Sequence, residues 1–164
     1  MLSKRQIEAR VIRAFGPDLS AQALLDELQR TRWGNTKYAS VAPRTWAGHL
    51  CKLRDAPQIP AILTTLAREN TQQTDYILAA TLAQAAEDGH VELVKAILAV
   101  QAPHQPMQVW SPTRWARYSA LRVAAANGRK DCFEVLRGSL GKYVDKKEES
   151  LLRAILKMNT LEVL

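Results

Sequence analysis

The sequence predicts an all-α protein, a solenoid of stacked α-hairpins. Three observations carry that expectation. Apolar residues recur at three- and four-residue spacing along most of the 164 residues. Helix start and stop signals alternate in pairs. Gly and Pro are sparse, at 7 each, in a chain rich in Ala and Leu, a balance that favours helices over many short strands. At least ten helices and negligible sheet are expected.

Residues 3–15 open with a helix, because Ile7, Val11 and Phe15 share one face. Gly16-Pro17 stops it. Ser20 caps a second helix with Leu24, Leu25 and Leu28 on its apolar side. Residues 31–44 have no period, and Gly34-Asn35 and Pro43 are loop signals. A boundary is therefore expected between residues 1–44, a helical hairpin and loop, and residues 45–164, paired helices.

First helices of these pairs are expected to start at Thr45, Thr74, Ser111-Pro112 and Asp145. Pro at the first helical position loses no needed hydrogen bond, and Ser before it accepts one. They should end near Ala56-Pro57, Asp88-Gly89, Asn127-Gly128 and Met158-Asn159. Gly and Asn tolerate the left-handed residue that closes a helix. Gln101 to Val109 carries two prolines and no helical period, so it reads as an enlarged connection.

Helix–turn–helix segments align without gaps from Leu50, Leu82, Leu121 and Leu152, at spacings of 32, 39 and 31. The second reads Leu82-Ala-Gln-Ala-Ala-Glu-Asp-Gly-His-Val-Glu-Leu-Val and the third contains Ser119-Ala-Leu-Arg-Val-Ala-Ala-Ala-Asn-Gly128. These stretches resemble the ankyrin repeat, whose period is about 33 residues: a leucine, paired alanines, an acidic-Gly-His turn, then an apolar second helix. The resemblance covers residues 45–164, with the last repeat truncated. It is specific in the second and third copies. The first has Pro57 at the Gly position, and the fourth has Ile155-Leu156 for the alanines and Asn159 for Gly. The helix starts at Thr74 and Ser111 come early, so the family's β-fingers are expected to be reduced or absent, and stacked α-hairpins of another type remain the alternative. Paired alanines have a physical role: small side chains let helices approach, so Ala85, Ala86, Ala124 and Ala125 should be buried. Ending on Leu161, Val163 and Leu164 leaves an apolar end where a solenoid wants a polar cap, which suggests a piece of a longer protein.

Hydrophobic residues make up 47% and charged residues 24%, as in a folded soluble domain. No apolar run nears the roughly 18 residues of a membrane span, and the N-terminus lacks the apolar core of a secretory signal. Cys51 and Cys132 read as separate buried thiols in a reducing cytoplasm. His49, His90 and His104 are scattered, so no metal site is proposed. Phosphate-loop and nucleophile-elbow signatures are missing. The expectation is a non-enzymatic protein without cofactors.

Net charge is +7, placed unevenly: 10 basic against 5 acidic residues in 1–60, 2 against 5 in 61–110, and 11 against 6 in 111–164. All four tryptophans fall in two aromatic-basic clusters. One holds Arg32, Trp33, Lys37, Tyr38, Arg44 and Trp46; the other holds Trp110, Arg114, Trp115, Arg117 and Tyr118. Trp, Tyr and Arg are frequent interface anchors. Trp33, Tyr38, Trp110, Arg114, Trp115 and Arg117 are the partner-binding candidates. Trp46 and Trp115, at helix starts, are weighed against simple packing between repeats, whereas Trp33 and Trp110 lie in loops.

The resemblance implies a protein–protein interaction module or scaffold with an unidentified protein partner, and the basic ends point to an acidic one. Ankyrin-like arrays occur in eukaryotic scaffolds and in bacterial effectors delivered into host cells without a cleavable signal. Two readings stand beside it: a nucleic-acid-binding helical domain using the basic ends, and the regulatory region of a larger enzyme.

Overall fold

A computed structural model of the chain describes residues 3, 5–6, 20–36, 38–105, 107–108 and 111–161. Most of the first expected helix, Trp110 and the last three residues lie outside these. Among the described residues there are eight α-helices, two short 3-10 turns and no strand. The chain divides into two compact units, Met1–Thr81 and Leu82–Leu164.

In the first unit, α1 (Ala21–Arg30) starts as expected, with the Ser20 hydroxyl accepting from the Ala23 amide at 3.1 Å. Leu24, Leu25 and Leu28 are buried on one side, and α1 packs on α3 (Ile59–Glu69). The Gln58 side chain donates to Gln22 Oε1 at 2.9 Å along that seam. Between them, α2 (Pro43–Lys52) buries Trp46, Ala47, His49, Leu50 and Cys51. It stops before the expected Ala56-Pro57, and turns lead into α3, whose first turn accommodates Pro60. Asn70 closes α3 in the left-handed conformation, φ 48°. Thr71 and Thr74 then cap α4 (Gln72–Asp88) reciprocally, each amide donating to the other's hydroxyl at 2.9 and 3.1 Å. The Gln73 amide donates to Val41 O at 3.2 Å, tying the irregular segment to α4. Across the boundary expected after residue 44, Trp46 packs against Trp33 and Tyr38.

In the second unit, Gly89, φ 78°, turns α4 into α5 (Val91–His104). Gly128, φ 66°, turns α6 (Pro112–Ala126) into α7 (Lys130–Leu140). After the turn at Gly141–Tyr143 comes α8 (Lys146–Leu161). α6 lies against both α7 and α8, and α5 against α7. First helices thus neighbour first helices, and second helices neighbour second helices. Ala85, Ala86, Ala124 and Ala125 are fully buried, as the repeat pattern requires.

Two expected breaks are absent. The helix α5 continues through Pro103 to His104 rather than ending in a loop at Gln101. Leu93, Val94, Ile97 and Gln101 are all buried on one face, so the period runs on through a polar residue. Likewise α8 runs through Met158-Asn159. The Asn159 amide donates to Ala125 O of α6 at 3.1 Å and to Ile155 O at 3.0 Å, which holds it in helical conformation. A Cβ on Gly128 would come within 3.1 Å of the Asn159 carbonyl oxygen, so the turn and α8 meet backbone to backbone.

Candidate interaction surface

The first aromatic-basic cluster folds inward. Trp33, in a 3-10 turn, is 5% exposed, Tyr38 3%, and Trp46 not at all. The Trp46 ring lies 5.3 Å from Trp33 and 6.0 Å from Tyr38, the latter edge to face. The Trp46 indole N–H donates to Tyr38 O at 3.2 Å. Residues 31–42 lack a period of their own, and burying three large rings against α2 is what organises them. Trp33 and Tyr38, expected as partner-binding residues, are thus both buried. Among its described members, Arg32 and Arg44 are exposed.

The second cluster is built on α6, capped by Ser111, whose hydroxyl accepts from the Arg114 amide at 3.2 Å. Trp115 is 50% exposed, whereas Arg117 is only 7% exposed. Two residues along a helix turn the side chain through about 200°, so one points out where the other points in. The Arg117 Nη1 donates to Ser139 O at 3.0 Å; its Nε has no hydrogen-bond partner, and no described carboxylate pairs with it. Burial pulls its pKa below the ordinary arginine value. Arg117, expected as a partner-binding residue, is thus buried and clamps the end of α7 from inside. Arg114 is half-buried. Its Nε and Nη2 donate to Tyr143 O at 3.3 and 3.2 Å, and its guanidinium stands 6.0 Å from the Trp115 ring and 5.5 Å from Tyr118. Arg122 lies 5.3 Å from Tyr118 and is ion-paired to Glu148 at 2.6 Å. The Tyr118 hydroxyl accepts from the Asp145 amide at the start of α8. Arg114 and Arg122 are thus each held at the far end, and Arg114 lies beside the half-exposed Trp115 indole.

Trp110, expected as a loop anchor, lies outside the described residues. Tyr76, 54% exposed, was not singled out from the sequence. The repeat register finds it: Arg44, Tyr76, Trp115 and Lys146 each stand six residues before an aligned leucine, and all four are exposed. Two positions further on, Trp46, Leu78 and Arg117 are buried.

His49 is buried, and burial followed by repulsion from Lys52 lowers its pKa to about 4. The Cys132 thiol is pushed up by burial first and Asp131 second. Among the described residues, no group of three or more His, Cys, Asp or Glu could hold a metal, and no helix is long and apolar enough to cross a membrane. Comparison with protein-family models, with curated proteins and with solved structures finds no match to this chain.

Proposed function

We infer that the chain is an interaction module, an ankyrin-like array of helical hairpins that binds another protein by docking alone. The observation that carries this reading is Trp115: a half-exposed indole on α6, with the Arg114 guanidinium beside it. Its helix is held by α7 and α8, so a partner meets a surface that is already ordered and loses little entropy on binding. Trp and Arg together are the commonest binding hot spots. A basic neighbour, Arg114, suits an acidic partner surface. The side-by-side arrangement of α6 with α8 and of α5 with α7 supports an array.

The test is a photo-crosslinking residue at position 115 to capture a partner, then affinity measurement with the purified pair. Trp115→Ala should weaken binding by about 2 kcal/mol, roughly 30-fold, and leave the melting temperature unchanged. Unchanged affinity removes the surface from consideration. Steeply salt-dependent binding of DNA or RNA, insensitive to Trp115→Ala, would replace a protein partner with a nucleic acid.

A further inference from the structure

A second surface, apart from Trp115, lies on α8. Leu152 and Leu156 are buried and the Asn159 amide reaches Ala125 O, so this side of α8 faces α6. Leu151 and Met158 are 61% and 65% exposed, Ala154 is exposed, and Ile155 is half-exposed. Positions i, i+3, i+4 and i+7 form one apolar stripe on a helix. Scattered exposed apolar residues need no explanation, but a contiguous stripe does.

The repeat register shows what such a face is for. Leu151 and Ile155 align with Ala120 and Ala124 of α6. Both alanines are fully buried in the packing of α6 with α7 and α8. The same register position is therefore interior in α6 and open in α8, and larger aliphatic side chains stand there. Charge narrows the occupant. Glu148 and Glu149 are taken up by Arg122 and Arg137, each at 2.6 Å. Glu149 also holds Arg153 at 3.2 Å. Lys146, Lys147 and Lys157 are exposed and make no ion pair among the described residues. Lys147 stands one turn before Leu151 in line with the stripe, and Lys157 flanks it beside Met158, so basic charge borders the stripe.

We propose that the Leu151–Met158 face of α8 docks an amphipathic helix of another polypeptide, with an aliphatic stripe and an acidic edge. It continues the α6–α8 layer by one more helix, the way amphipathic helices seat in apolar grooves. A second copy of this chain fits poorly. An antiparallel two-fold pairing sets the bordering lysines of the two copies against each other, and a parallel one sets the lysines against Glu148, already bound to Arg122.

The experiment uses the full chain and two labelled helical peptides of equal leucine content, one edged with glutamate and one with lysine, followed by fluorescence anisotropy. The glutamate-edged peptide should bind, and the lysine-edged one should bind at least about tenfold more weakly. Leu151→Glu and Met158→Glu, both at exposed positions, should each weaken binding about tenfold or more without lowering the melting temperature. Charge reversal in Lys147→Glu/Lys157→Glu should reverse the peptide preference. Trp115→Ala should leave this binding intact, which separates the face from the one on α6. Equal binding of both peptides, or no effect of Leu151→Glu, overturns the proposal. So does sedimentation showing that the chain dimerises through this face and that Leu151→Glu abolishes the dimer.

Discussion

Trp46 and Trp115 are each the fourth residue of a helix that begins with proline, Pro43-Arg44-Thr45-Trp46 and Pro112-Thr113-Arg114-Trp115. One is fully buried and the other half-exposed. Helix position therefore does not decide their fate; repeat register does. Trp46 stands four residues before Leu50 and shares that place with Arg117, four before Leu121. Trp115 shares its place with Arg44, six before the leucine. The two regions have exchanged Trp and Arg between an inner and an outer position. The inner position holds Trp46, packed against two further rings, in the first region and a guanidinium bonded to a backbone carbonyl in the second.

The largest expected effect tests the inner position directly. Trp46→Ala should destabilise the first unit by about 3–5 kcal/mol, whereas Trp115→Ala should scarcely change stability. Equal losses in thermal unfolding would break the comparison.

Acid should separate the regions next. The folded-state pKa of His49 is lowered to about 4, below the ordinary value near 6.5, so the unfolded chain takes up the proton first. Stability is full above the unfolded value and is lost as pH falls from about 6.5 towards 4, by about 2 kcal/mol at pH 5. Glu149 is lowered instead, by the hydrogen bond from Arg137 above all; its contribution is present above the usual carboxylate value and goes only at lower pH. Hydrogen exchange at pH 5 should therefore show α2 amides opening before those of α7 and α8. His49→Gln should flatten the pH dependence.

Gly128→Ala should cost about 1–3 kcal/mol, because φ is 66° and the added Cβ meets the Asn159 carbonyl. Gly138, in α7 with nothing within 4 Å of a Cβ, is the control; Gly138→Ala should stabilise by about 0.5–1 kcal/mol. The smallest effect is expected for Arg117→Met, within about 1 kcal/mol of the parent in denaturant unfolding, since an apolar chain of similar length relieves the buried charge. A loss as large as that of Trp46→Ala would show that the hydrogen bond to Ser139 O, not volume, holds this position.

Ser20, Ser111-Pro112, Gly89 and Gly128 were legible in the sequence because their effects are local: a hydroxyl meets an amide three residues on, or a backbone takes a positive φ. The alanine pairs were legible because the repeat exposed them. Pro103 and Asn159 misled, since whether they break a helix depends on Gln101 facing the core and on Ala125 O standing within reach. The inward turn of Trp33 and Tyr38 depends on Trp46, which the sequence does not place beside them. Arg117 is the hardest to foresee, for this buried cation bonds to a carbonyl 22 residues away with no described carboxylate beside it.

The contrast between the tryptophans also makes them optical reporters. Trp33 and Trp46, 5.3 Å apart and shut away from water, form a coupled pair that a soluble quencher such as acrylamide does not reach. Trp115 is open to it. Emission from the pair follows the interior of the first unit, while quenching of Trp115 follows the surface of the second. Among the described tryptophans, one indole environment therefore signals unfolding and another docking.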